Sequence, residues 1–143
     1  MKVIALFGKG GIGKTTTLNL LNDLINPDNP ATNLGEDDKY TFTYKGKTIS
    51  ITTPGDCKEH IHDNIDYAQN NNCDILVTAS RTRGAGKDML REQFKHNLLF
   101  IEKNIDYQQR DLVNKAQALD LQAIIDDVIN QLNAKEASSA PTP

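Results

Sequence analysis

The chain has 143 residues, the length of one ordinary domain, with 38% hydrophobic and 24% charged residues, enough apolar matter to bury a core without covalent staples. Its 16 Lys and Arg against 19 Asp and Glu leave a formal charge of −3, which argues against a nucleic-acid or membrane-surface binder held by bulk electrostatics. The two cysteines make no disulfide framework, and no apolar run approaches the ~20 residues of a membrane span. The stretch Val3 to Phe7 is shorter than the ~7–15-residue core of a signal peptide and runs straight into glycines, so the expectation is a soluble cytoplasmic domain.

In chain order, Val3-Ile4-Ala5-Leu6-Phe7 reads as a parallel strand covered on both faces. Glycines at 8, 10, 11 and 13 break it. From Lys14, Leu18, Leu21, Leu24 and Ile25 recur at helical intervals, so a helix runs from near Gly13 to Asn26-Pro27. Residues 26–39 carry two prolines and almost no apolar side chain, a loop long enough to be functional or mobile. Tyr40–Tyr44 and Thr48–Thr52 alternate on either side of a Lys-Gly turn, which predicts a β-hairpin closed by Pro54-Gly55. A polar helix is expected over 57–71, a buried strand from Cys73 to Ala79, a helix from about 86 to 97 and a last strand from Leu98 to Glu102. Leu112, Ala116 and Leu119, then Ile124 to Leu132, predict a long amphipathic helix broken near Asp120. Residues 136–143 are small, polar and proline-containing, a disordered tail behind a single domain over 1–135. Strands alternating with helices, and one inserted hairpin, predict a three-layer α/β domain with a mostly parallel sheet and the hairpin's first strand antiparallel at one edge.

The string Gly8-Lys9-Gly10-Gly11-Ile12-Gly13-Lys14-Thr15 fits G-x-x-x-x-G-K-[ST], with Thr16 following. Glycines let such a loop wrap so that successive N–H groups point at a polyphosphate, and the next helix presents its positive end there. Lys14 would reach the β- and γ-phosphates and the Thr15 hydroxyl would ligate Mg²⁺. Strand before and helix after is the context that this motif requires.

On these residues the chain resembles the P-loop NTPase superfamily, which implies a P-loop NTPase-like fold. The string GKGGIGKTT is similar to the variant loop of nitrogenase iron protein and the partition-type ATPases. That resemblance implies that Lys9 reaches the phosphates of a partner subunit, hence a homodimer. It covers residues 1–26; those families place an aspartate-bearing strand after the first helix, where this chain has a polar loop and a hairpin. The order of loop, helix, polar loop and hairpin also resembles small GTPases, with Thr52-Thr53-Pro54-Gly55-Asp56 in place of their D-x-x-G and Thr32 as the loop threonine. Their base-reading N/T-K-x-D motif is missing, so guanine specificity is unsupported.

Ligands in open α/β sheets sit outside the carboxyl ends of the parallel strands. That rule gathers Asp56, Arg81 and Arg83 beside the loop. Asp56 is the expected acidic partner of Mg²⁺ or the group that positions a nucleophile, and it also suits a helix cap before Cys57. Arg81 and Arg83 suit phosphate and the charge developing in phosphoryl transfer. Asp74 opens its strand and belongs to the opposite edge. Lys87, Arg91 and Lys95 read as a solvated face, and Cys57, His60 and His62 match no tetrahedral zinc spacing. The expected function is Mg²⁺-dependent binding of a nucleoside triphosphate, ATP or else GTP, with hydrolysis of the γ-phosphate. The alternatives are a small kinase acting on a nucleotide, polynucleotide end or metabolite, and a nucleotide-binding module without turnover. Catalytic residues would be Lys14, Asp56, Arg81 and Arg83, and metal ligands Thr15 and Asp56. As an NTPase switch, the 26–39 loop would reorder with the γ-phosphate and signal to a protein partner; a nucleic-acid partner is not favoured, and no membrane association is expected.

Overall fold

The N-terminal apolar run forms strand β1 (Lys2–Phe7) at the interior of a five-stranded sheet ordered β2-β3-β4-β1-β5. The computed structural model describes residues 1–139. The other strands are β2 (Lys39–Tyr44), β3 (Lys47–Thr52), β4 (Ile75–Ser80) and β5 (Leu98–Glu102); β3, β4, β1 and β5 are parallel, and β2 is antiparallel to β3 at one edge. Lys45 and Gly46 close the hairpin at φ 48° and 79°, the paired positive φ of a two-residue turn whose twist matches its strands.

Period-two alternation on β1 divides the interior. Ile4 and Leu6 enter one core with α1 (Lys14–Ile25) and α4 (Arg110–Ser139); Val3 and Ala5 enter the other with α2 (Lys58–Asn70) and α3 (Ala85–Phe94). Helices therefore cover both faces of the sheet, as expected. Among the described residues no helix is long and apolar enough to cross a membrane.

Three boundaries differ from expectation. Cys73 lies before β4, in the turn that ends α2, its N–H donating to Ala68 O. The helix expected to reach residue 97 stops at Phe94, and Lys95–Asn97 tighten into a 3-10 turn. Helix α4 is unbroken from Arg110 to Ser139, so residues 136–139 are helical and not tail; 140–143 lie outside the described residues. The apparent break near Asp120 is a change of face. Ala118, Leu121, Ile125 and Ile129 are buried, while Leu112 and Leu119 on the opposite face are 62% and 55% exposed. Leu121→Ala should therefore cost about 2–5 kcal/mol and Leu119→Ala almost nothing, read as urea midpoints.

Candidate functional site

Strand β1 delivers residues 8–13 to the carboxyl edge of the sheet, where Gly11 and Gly13 turn at φ 76° and 97°. Gly13 caps α1 without a side chain, and the first turn carries no acidic residue, so the helix's positive end faces the loop uncompensated. A Cβ on Gly13 would also stand 2.7 Å from Asn114 Oδ1 of α4.

Lys14 opens the helix and is only 7% exposed. Its Nζ donates to Gly8 O at 2.5 Å and to Ser80 O at 2.8 Å, so the ammonium bridges the ends of β1 and β4. Among the described residues no carboxylate pairs directly with it. Burial, and then the Arg81 charge, lower its pKa to about 8, against a smaller upward pull from Asp56. Arg81 lies across the loop, its guanidinium 2.9–3.1 Å from where a Cβ on Gly10 would be. Arg81 Nε stands 3.2 Å from Asp56 Oδ1, an ion pair without a hydrogen bond, and among the described residues that buried N–H has no hydrogen-bond partner.

These groups line a cavity of about 670 Å³ together with Thr15, Thr16, Asp37, Thr53 and the α4 residues Arg110 and Asn114. Of the expected residues, Gly10 to Thr16, Asp56 and Arg81 meet there. Gly8 lies beneath, its N–H on Ser80 O at 3.2 Å. Lys9 stands on the rim with Nζ 6.0 Å from the Tyr107 ring centroid. Arg83 does not line this cavity; with Lys9, Asp56, Arg81 and Thr82 it borders an adjoining open cleft of about 430 Å³. Thr32 is exposed and away from both.

Sequence reasoning passed over Asp37. It arrives on the 26–38 segment, and its Oδ1 accepts hydrogen bonds from Thr15 Oγ1 at 3.1 Å and Thr53 Oγ1 at 2.9 Å. A signal for it existed in α1. Thr15, Asn19, Asn22 and Asn26 recur at i, i+4, i+7 and i+11, a polar stripe beside the apolar one. Lys103, just past β5, does not line this cavity: it is 3% exposed, burial lowers its pKa, and its Nζ donates to Asn104 O at 2.5 Å.

The other candidates disperse. Asp74 sits at the opposite edge, its Oδ2 accepting from Thr48 N–H at 2.8 Å. His60 Nδ1 accepts from Asp56 N–H, His62 lies near Asp63 and Asp66, and buried Cys73 contacts Ser50 Oγ. Among the described residues no three His, Cys, Asp or Glu gather in metal-ligating geometry. Lys87 and Arg91 stack on Phe100, so that charged stripe partly covers apolar rings instead of standing free in solvent. Comparison of the chain with protein-family models, curated proteins and solved structures finds no match.

Proposed function

We propose that this protein is a P-loop nucleotide-binding protein that takes a nucleoside triphosphate with Mg²⁺ in the 670 Å³ cavity and cleaves the γ-phosphate. The observation that carries this reading is Lys14. A lysine held 93% out of solvent by two carbonyls, at an uncapped helix start and beside a second cation, is costly without an anion nearby. A polyphosphate supplies that anion, and the loop N–H groups supply its hydrogen bonds. Mg²⁺ needs few protein ligands because it retains waters and shares phosphate oxygens, so a threonine hydroxyl and one carboxylate suffice. Thr15 and either Asp37 or Asp56 fit that set. The ion would neutralise charge on the β- and γ-phosphates. Lys14 and Arg81 then stabilise charge as the γ-phosphate leaves, and catalysis is positioning and electrostatics.

The test follows the label of γ-labelled ATP and GTP with Mg²⁺, wild type beside Lys14→Ala. Free phosphate released faster from one nucleotide, and lost in the variant, supports hydrolysis. Equal inertness of folded wild type and variant, together with no binding, would sink the reading. A second reading is favoured by the adjoining cleft, which shares Asp56 and Arg81 with the main cavity and adds Lys9 and Arg83. There an anionic acceptor would lie beside the γ-phosphate, and label would move to the acceptor.

Lys14 also predicts a proton uptake. With its free-state pKa near 8, about half of the molecules lack that proton at pH 8. Phosphate charge beside it pulls the pKa back up, so binding at pH 8 should take up roughly half a proton, falling towards zero by about pH 6.5. Titration calorimetry in two buffers of different ionisation heat measures it; no buffer dependence at pH 8 would contradict the site.

A further inference from the structure

We propose that Asp37 is the carboxylate that holds the divalent cation beside Thr15, and that the 26–38 segment is a strap whose purpose is to deliver it. The proposal rests on the nucleotide reading and assigns the acidic group that the usual strand-end motif would supply and this chain lacks there. Strand β3 ends at Thr52, with Thr53 next, and β4 ends in Ala79-Ser80, so neither strand's end brings a carboxylate to the hydroxyl of Thr15.

The strap is built. Asn19, fully buried on α1, donates through Nδ2 to Leu34 O at 2.8 Å and Glu36 O at 2.9 Å, and its Oδ1 accepts from Tyr40 OH at 2.9 Å. Burial, with the Asp38 charge, pushes the Tyr40 hydroxyl up to about 12, so it keeps the proton that it donates. One turn on, Asn22 Nδ2 donates to Asn29 O at 3.0 Å, and Asp23 Oδ1 accepts from Ala31 N–H at 2.8 Å. At the other end Thr53 and Asp38 exchange hydrogen bonds, Asp38 N–H to Thr53 Oγ1 at 2.8 Å and Thr53 N–H to Asp38 O at 3.1 Å. A segment tied to α1 at four carbonyls or amides, and to β3 at its exit, holds Asp37 in one place.

That place matters chemically. A threonine hydroxyl has one proton and two lone pairs. By giving its proton to Asp37, Thr15 turns its lone pairs away from the carboxylate and leaves them free for a cation. Asp37 takes both hydroxyl protons on Oδ1, and Oδ2 has no hydrogen-bond partner among the described residues. Asp56, by contrast, already faces Arg81 at 3.2 Å. The two carboxylates thus divide the work: Asp37 on the metal side, Asp56 on the arginine side.

The test separates cation binding from nucleotide binding. Fluorescent mant-ATP and mant-GTP are titrated into wild type, Asp37→Asn and Asp56→Asn, in EDTA and across a Mg²⁺ series, with a melting curve for each protein. Asparagine still accepts both hydroxyl hydrogen bonds and loses only the charge. Asp37→Asn should raise the Mg²⁺ midpoint about 10–100-fold, and by more than Asp56→Asn does. If Asp37→Asn melts below the assay temperature, Asp37→Glu takes its place, the charge kept and displaced by one methylene, with a raised midpoint again expected. A midpoint unmoved in the folded Asp37 variant, or moved no more than in Asp56→Asn, overturns the assignment while leaving nucleotide binding intact. Wild type that binds neither nucleotide in either condition removes both.

Discussion

Lys14→Ala should weaken triphosphate binding at least about 100-fold if the proposed function holds, because it removes the desolvated cation from the cavity proposed to take the phosphates. The same variant tests what the lysine costs the fold. In the free protein its pKa is lowered to about 8 from an ordinary 10.5, so the charged form is disfavoured in the native state. The native protein gives up this proton first, and between about pH 8 and 10.5 the unfolded chain binds more protons than the native one. Wild-type stability should therefore gain from this residue as pH rises through that window, and Lys14→Ala should lack the gain. One loss opposes the relief of removing a desolvated charge below pH 8: Gly8 O loses a buried donor, while Ser80 O keeps the Gly8 N–H. The discriminating quantity is thus the slope of melting temperature against pH, not the melting temperature at one pH. Equal slopes in both proteins would mean that the ammonium is better solvated than its 7% exposure indicates.

Gly55→Ala should be the most damaging single methyl in the chain. A Cβ there would stand 2.5 Å from the carbonyl carbon and oxygen of Ala79, both backbone atoms of the interior strand β4. Backbone cannot swing aside as a side-chain end can, so β3 and β4 would have to part at the edge that forms the cavity. Overpacking of this kind costs about 1–3 kcal/mol or more, enough to consume a large part of a small domain's stability. Gly46→Ala is the control: its φ of 79° strains an alanine, but nothing lies within 4 Å, so only the left-handed penalty of about 1–2 kcal/mol remains. Urea unfolding of the two variants ranks them. A smaller loss for Gly55→Ala than for Gly46→Ala would show that the β3–β4 exit has slack.

Much of the fold was legible because it rests on local rules. Five apolar residues followed by glycines and a 3.6-residue pattern give strand, turn and helix, whatever the rest of the chain does. Alternation on both sides of Lys45-Gly46 gives a hairpin. The carboxyl-edge rule brought Asp56 and Arg81 to the cavity, since parallel strands all end on one side. It brought Arg83 to the same edge, where the residue lies far enough along the 81–84 turn to face the neighbouring cleft with Lys9.

The 30-residue helix α4 shows where local reading stops. Two apolar stripes, one through Leu112 and Leu119 and the other through Leu121 and Ile125, are each helical by period, and nothing local says which one packs. Contact with α1 decides for the second stripe. Read as one face, the two predict a break that does not exist.

What the sequence determined by itself is the glycine-rich turn between β1 and α1, the elements around it and the class of sheet, because each follows from neighbours within a few residues. What only the tertiary structure decided is the company that Lys14 and Thr15 keep. Asp37 is 22 residues from Thr15 and Ser80 is 66 from Lys14. Those contacts arise from a polar stripe on α1 tying down a proline-containing segment, and from β4 inserting beside β1. The stripe marks one face of α1 by its period but does not say which distant residues bind it, so a carboxylate can reach the loop from a segment with no strand or helix to announce it.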